Sequence, residues 1–128
     1  MNNKYSTNLQ SFLILILIFI SLFINQYYAM KGAFPIESFA HYDISLRILS
    51  GDVPFRDYWA VSGIFIDYLQ SLFFLIFGDS FQIYVLHASV FNVTATLISF
   101  IFFKELKLGN FTSFFYAVCF SILAYPTT

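Results

Sequence analysis

The sequence predicts an all-α fold, that of a polytopic membrane protein with three transmembrane helices and amphipathic helices beside the membrane. Apolar residues make up 59% of the chain and charged residues only 10%, against about 25% charged residues in a typical soluble domain. The charge is also uneven, because six of the seven acidic residues lie in one stretch between long apolar runs. Such a chain has too little charge to cover a water-facing surface. It also has no basic run of the kind that binds nucleic acid.

The first apolar run predicts a transmembrane helix at about residues 11–28. Its core, from Phe12 to Ile24, is continuous Leu, Ile and Phe with one Ser. With its flanks it reaches the ~20 residues that cross a hydrocarbon layer about 30 Å thick. A cleaved signal peptide is the competing interpretation. Because residues 25–31 lack a small-x-small cleavage pattern and more apolar segments follow, we expect a signal-anchor helix.

The stretch from about residue 31 to residue 79 predicts an extracytoplasmic loop with two interfacial helices. Residues 38–50 should form a short amphipathic helix, because Gly51 stands where a left-handed residue ends a helix. Residues 61–77 are apolar but short. They place three polar side chains on one helical face, which we expect to meet water or protein: Asp67, Gln70 and Ser71.

The lysines predict the topology. By the positive-inside rule, Lys4 places the N-terminus inside, so that the acidic loop lies outside. If residues 81–103 form the second span, Lys104 and Lys107 return to the inside. They would lie outside if residues 61–77 also crossed. We therefore interpret residues 61–77 as an interfacial or re-entrant helix.

Two further spans are predicted at about residues 81–103 and 111–126. The first is about 34 Å long at about 1.5 Å per residue. It carries a stripe of small residues suited to close helix packing, namely Ala88, Asn92, Ala95 and Ser99. The second follows a turn at Gly109 and is short for a span.

Residues 37–59 hold the side chains best suited to chemistry. Between two spans they would lie beside the bilayer, at the depth of the polar head of a lipid-linked substrate. Sugar transfer from a lipid phosphate needs a carboxylate to activate the acceptor and cations or a metal to hold the leaving phosphate. The candidate catalytic residues are Glu37, Asp43 and Asp57, and the candidate substrate-binding residues are Arg47, Arg56 and His41.

Structural alternatives stand beside these roles. Glu37 could serve only as an acid at a helix N-terminus, where the helix dipole favours it. Asp43 and Arg47 are four residues apart, the spacing of a surface ion pair. Asp57 could cap the turn after the proline of the loop, and His41 could simply lie at the membrane interface.

Several pieces of this loop occur in a fixed order. Glu37 is followed about fourteen residues later by Gly51-Asp-Val-Pro-Phe-Arg-Asp-Tyr-Trp59, then by Ser62-Gly-Ile and an apolar run that ends in Phe-Gly78. In this order they resemble the N-terminal part of the C-type (GT-C) polytopic glycosyltransferases. These include the dolichyl-phosphate-mannose–protein mannosyltransferases and the bacterial aminoarabinose and lipopolysaccharide-sugar transferases. The family opens this loop with an acidic pair whose first member is the catalytic acid. By spacing to Gly51, Glu37 takes the first position and Ser38 the second.

The resemblance implies a glycosyltransferase that moves a sugar from a polyprenyl-phosphate-linked donor to an extracytoplasmic acceptor, which is a lipid, a glycan or a protein. Glu37 would be the base or a metal-linked acid, so the need for a divalent metal stays open. The implied partners are the lipid-linked donor, membrane lipids and further transmembrane helices of a longer chain, with no nucleic acid. We expect residues 1–128 to be the N-terminal part of such a domain, inactive alone, in a bacterial inner (plasma) membrane.

The alternative is a non-enzymatic polytopic protein, such as a transporter or flippase fragment. A transporter places its key polar groups within the spans, near the bilayer midplane. Among the predicted spans only His87 fits that description. The acidic loop therefore favours the enzyme.

Overall fold

The computed structural model describes residues 2–29, 31, 37–60 and 63–123, and of residues 2–7, 37 and 38 it describes the backbone alone. These residues form five α-helices and no strand, which confirms the all-α prediction. The helices are α1 (Asn2–Ala29), α2 (Glu37–Leu49), α3 (Ile64–Phe77), α4 (Phe81–Glu105) and α5 (Asn110–Leu123).

Two of these helices are long and apolar enough to cross a bilayer, where the sequence predicted three. They are α4 and the Asn8–Ala29 part of α1, with 25 and 22 residues. Helices α3 and α5 have 14 residues each, or about 21 Å, well short of a hydrocarbon layer of about 30 Å. The prediction of a third span is thus wrong for the part of the chain that is described. Residues 124–126, its predicted end, lie outside that part.

The chain forms two compact units. The first comprises Met1–Tyr28 and Ala88–Thr127, and so contains α5, most of α4 and all of α1 except Ala29. The second comprises Ala29–His87, with α2, α3 and the first turns of α4.

Small and polar side chains hold the first unit together. The buried positions of α1 recur every four residues and so share one face; they are Leu13, Leu17, Ser21 and Asn25. Leu17 forms a fully buried cluster with Phe100 of α4 and Ala117 of α5. The side-chain amide of Gln26 donates a 3.1 Å hydrogen bond to Ser89 Oγ, which ties α1 to α4. Close packing through small residues and hydrogen bonds is how helices associate in an apolar solvent.

The buried face of α4 differs from the predicted stripe. In the first unit it consists of Ser89, Asn92, Thr96 and Phe100, and only Asn92 belongs to both sets. The other three predicted residues, Ala88, Ala95 and Ser99, are only partly buried. The rotation of α4 about its axis is set by the Gln26–Ser89 hydrogen bond and by the packing of Phe100 in the core, and not by residue size along α4 alone.

In the second unit, Gly51 ends α2 as the sequence predicted. It has φ +92°. Its N–H donates to the carbonyl of Ile48, and the N–H of Asp52 donates to that of Arg47, both at 3.0 Å. This pair of bonds is the Schellman arrangement, which satisfies the last carbonyls of a helix. The chain therefore leaves α2 in a fixed direction.

Candidate functional site

A polar face of α3 packs against α2. The buried residues of α3 are Asp67, Gln70, Ser71 and Phe74, whose spacing places them on one side of a helix. The first three are the polar side chains expected to meet water or protein, and they lie against protein. Ser45 of α2, itself buried, marks the contact, because its Oγ lies 3.3 Å from the backbone oxygen of Asp67.

The centre of this contact is a hydrogen bond between His41 and Asp67. His41 Nδ1 lies 2.6 Å from Asp67 Oδ1, across 26 residues of sequence. The Asp67 side chain is completely buried, whereas 30% of the His41 side chain is exposed. The histidine thus links a carboxylate in the interior to the surface of the unit.

The chemistry of the pair assigns the ring protons. An ionised carboxylate can only accept hydrogen bonds, so with Asp67 ionised Nδ1 must carry a proton. A buried carboxylate is costly unless it is paired, and His41 is its hydrogen-bond partner. The other carboxylate oxygen, Oδ2, is buried without a hydrogen-bond partner in the described part of the chain.

Two further contacts fix the ends of the helix pair. The hydroxyl of Tyr42 donates to the backbone carbonyl of Asp79 just after α3. The Tyr42 ring also packs edge-on against Phe74, with 5.0 Å between ring centroids. With the His41–Asp67 pair, these contacts hold α2 along α3 at more than one point, so the register of the two helices is well defined.

The predicted catalytic residue Asp43 is engaged by the predicted substrate-binding residue Arg47. The distance from Arg47 Nε to Asp43 Oδ2 is 2.8 Å, and both side chains are largely exposed. The hydrogen bond to Asp43 raises the pKa of Arg47. The guanidinium also lies over the ring of Tyr58, 5.9 Å from its centroid. This is the surface ion pair that stood as the structural alternative.

Asp57 is engaged by its neighbour Arg56 in a similar way. Arg56 donates to Asp57 Oδ2 at 2.7 Å, and so does the backbone N–H of Val53, also at 2.7 Å. The hydrogen bond from Arg56, followed by that from Val53, lowers the pKa of Asp57. Asp57 therefore caps the turn after Pro54, and a carboxylate held in this way is a weakened base.

Glu37 is the first residue of α2, one helical turn before His41. Its side chain lies outside the described part of the structure, so its predicted role stays a prediction. Sequence reasoning placed His41 among the substrate-binding residues but did not identify Asp67 as its partner. The available signal was the position of Asp67 on the polar face of a short apolar helix, and nothing in the sequence paired that face with α2.

The exposed surface of α3 is apolar. An open groove lies along α3 beside Leu49, the last residue of α2, and is lined mostly by leucine side chains. Phe65 and Leu75 are about 70% exposed there. In the loop before α3, Phe55 and Trp59 pack edge to face at 5.7 Å, and both are exposed. Among the described residues no group of three or more His, Cys, Asp or Glu side chains is placed to hold a metal ion.

A scan against protein-family models, a search of curated proteins and a search of solved structures each found no match to this chain.

Proposed function

We propose that this protein is an integral membrane glycosyltransferase of the GT-C type in a bacterial plasma membrane. It moves a sugar from a polyprenyl-phosphate donor to an acceptor on the extracytoplasmic side. One observation carries the proposal. Glu37 begins α2, and the loop of residues 51–59 and α3 follow it within one compact unit, so the residues that resemble the family loop belong to one folded element.

The surroundings of this unit support a lipid-linked substrate. In the chain it lies between the two helices that are long and apolar enough to span a bilayer. The apolar groove along α3 suits an isoprenoid chain, because such a chain is recognised by apolar area. The polar residues of α2 and of the loop suit the phosphate and the sugar. The side chains of Arg47 and Arg56 are both largely exposed, so a phosphate can reach them.

The test is sugar transfer by the protein expressed from its complete gene, in native membranes that supply the acceptor. The probes are polyprenyl-phosphate hexoses and pentoses with a radiolabelled sugar. Glu37→Gln keeps size and hydrogen bonding but removes the charge. We expect it to lower transfer by roughly 10²–10⁴-fold, the usual loss for a positioned acid or base, with normal expression and membrane insertion.

Asp43→Asn and Asp57→Asn are the matched comparisons, because each removes one carboxylate of the same unit. Both carboxylates are held by arginines, so we expect much smaller losses. If Glu37→Gln is active and one of these variants is not, the site assignment is wrong but the transferase proposal survives. If the wild type and all three variants are equally active, the carboxylates are structural. If the wild type transfers no sugar from any donor, the proposal fails in favour of a non-enzymatic membrane protein.

A further inference from the structure

We propose that Phe55 and Trp59 form an aromatic anchor that lies in the headgroup region of the bilayer and holds the second unit against the membrane. The partner of this surface is thus the lipid itself. The inference rests on the membrane location in the proposed function and does not depend on sugar transfer. It gives a role to two exposed side chains that the proposed chemistry does not use.

The turn of residues 53–59 holds the two rings together at the surface. The N–H of Phe55 donates to the carbonyl of Tyr58 at 2.8 Å, which closes the turn. The rings of Phe55 and Trp59 pack edge to face at 5.7 Å, although Phe55 is 59% exposed and Trp59 77% exposed. The aromatic pair is therefore presented to its surroundings by a hydrogen-bonded turn.

The backbone at Phe55 points to a role for its ring outside the turn. Its φ of +65° lies in the left-handed region, where a bulky side chain is strained and glycine or asparagine is preferred. More than half of Phe55 is exposed, so contacts within the protein offset only part of that strain. A contact with something outside the protein accounts for an aromatic side chain at this position.

Helix α3, which follows the turn in the chain, indicates that the surrounding medium is lipid. Its polar residues Asp67 and Gln70 are buried, whereas Leu75 and Ile76 are largely exposed. This is the reverse of a helix at the surface of a water-soluble protein, and in membranes polar side chains face the protein interior. The same unit contains the first turns of α4, a helix long and apolar enough to span a bilayer. With α4 in the bilayer, the unit lies at the membrane surface.

The chemistry of the turn suits the headgroup region better than the hydrocarbon core. Tryptophan is enriched at the interface between membrane and water, because its ring is amphipathic. Between the two rings in sequence lie Arg56 and Asp57, an ion pair whose arginine side chain is largely exposed. Burial of these charges in hydrocarbon would be costly. The turn can therefore place its rings among the headgroups while its charged pair stays in contact with water.

Tryptophan fluorescence measures the depth of the anchor. Trp59 is the only tryptophan among the 128 residues, so the fluorescence of this chain in phosphatidylcholine vesicles reports on residue 59 alone. The vesicles carry lipid brominated either near the headgroup or near the end of the acyl chain, and acrylamide is the quencher in water. We expect the shallow bromines to quench Trp59 more strongly than the deep ones, and acrylamide to quench it less than free tryptophan.

Phe55→Asn removes one ring of the anchor and suits the left-handed backbone. We expect hydrogen exchange in the turn to be no faster, while Trp59 emission shifts to longer wavelength and acrylamide quenching increases. A purely structural role for the Phe55 ring predicts faster exchange instead. Leu106→Asn is the matched control, because Leu106 is an apolar residue with a similar exposure of 56% in another turn. It should leave the Trp59 signal unchanged.

Quenching of Trp59 by acrylamide but not by brominated lipid would overturn the inference in favour of a turn that lies in water. Quenching by neither would overturn it in favour of a protein contact, from a second copy or from another segment. An unchanged Trp59 signal in Phe55→Asn, or an equal shift in Leu106→Asn, would also contradict it. A chain that alkaline carbonate extracts from the vesicles would instead overturn the membrane location in the proposed function, so the two failures can be told apart.

Discussion

Removal of the His41 imidazole tests the energetics of the buried carboxylate. In His41→Ala, Asp67 stays fully buried but loses its hydrogen-bond partner. Leaving a buried charge without its partner costs about 3–5 kcal/mol. Because 30% of the His41 side chain is exposed, the two side chains are not wholly desolvated. We therefore expect the free energy needed to separate α2 from α3 to fall by about 3 kcal/mol.

Hydrogen–deuterium exchange in lipid nanodiscs, followed by mass spectrometry, measures this opening directly. Since about 1.4 kcal/mol corresponds to a tenfold change in an equilibrium constant, exchange of α2 amides should accelerate by roughly 100–200-fold. His41→Ala/Asp67→Leu should recover most of that loss, because it removes the uncompensated charge and fills the space. Asp43→Asn, which breaks an exposed ion pair on the same helix, should change exchange little.

Two results would refute this reasoning. If His41→Ala accelerates exchange by less than about fivefold, Asp67 has another source of compensation in the interior. If the double variant is as destabilised as the single one, the penalty comes from lost packing of the ring and not from the charge.

Three further predictions concern the loop and the topology. Gly51→Ala should destabilise the last turn of α2 by about 1 kcal/mol, because the φ of +92° at residue 51 strains any side chain even though nothing lies within 4 Å of an added Cβ. Hydrogen exchange should become faster in that turn alone, and unchanged exchange there would contradict the prediction. The pKa of Asp57 is lowered, so the ionised carboxylate should stabilise its turn at neutral pH and down to a pH of about 3.9, the usual pKa of an aspartate, and this stabilisation should be lost only at still lower pH as the carboxylate is protonated. Exchange of the Val53 amide should show the same pH dependence, and Asp57→Asn should abolish that dependence. In a cysteine-free background, a cysteine at Ser50 should react with a membrane-impermeant thiol reagent from outside and one at Gly109 should not, and labelling of both would rule out the proposed topology.

The sequence predicted the helices well because their signals are local. The bounds predicted from the apolar runs, the polar loop and Gly51 lie within about three residues of the observed ones, except that α1 begins at Asn2 and not near residue 11. The C-terminal end of α2 was correct in mechanism as well as in place, because a Schellman ending depends on a few neighbouring residues. The third span was wrong for the described residues because α5 has 14 of them, Asn110–Leu123, fewer than a span needs.

The candidate site was predicted less completely. The Asp43–Arg47 pair and the turn cap at Asp57 were both anticipated as structural alternatives, because they join residues one helical turn apart or less. The partner of His41 was missed because it lies 26 residues away, on a helix whose polar face fitted water as well as protein.

Composition and local pattern by themselves determined that this chain is helical, where its helices lie, and that its acidic residues gather in one loop. These properties follow from short-range periodicity and from the cost of placing charge in an apolar environment. Only the tertiary structure decided which face of each helix is buried. As a result, α4 buries Ser89 and Phe100 instead of Ala88 and Ala95, and Asp67 lies against His41. Neighbouring positions on a helix point about 100° apart, so a contact between distant segments fixes the rotation that no local pattern specifies.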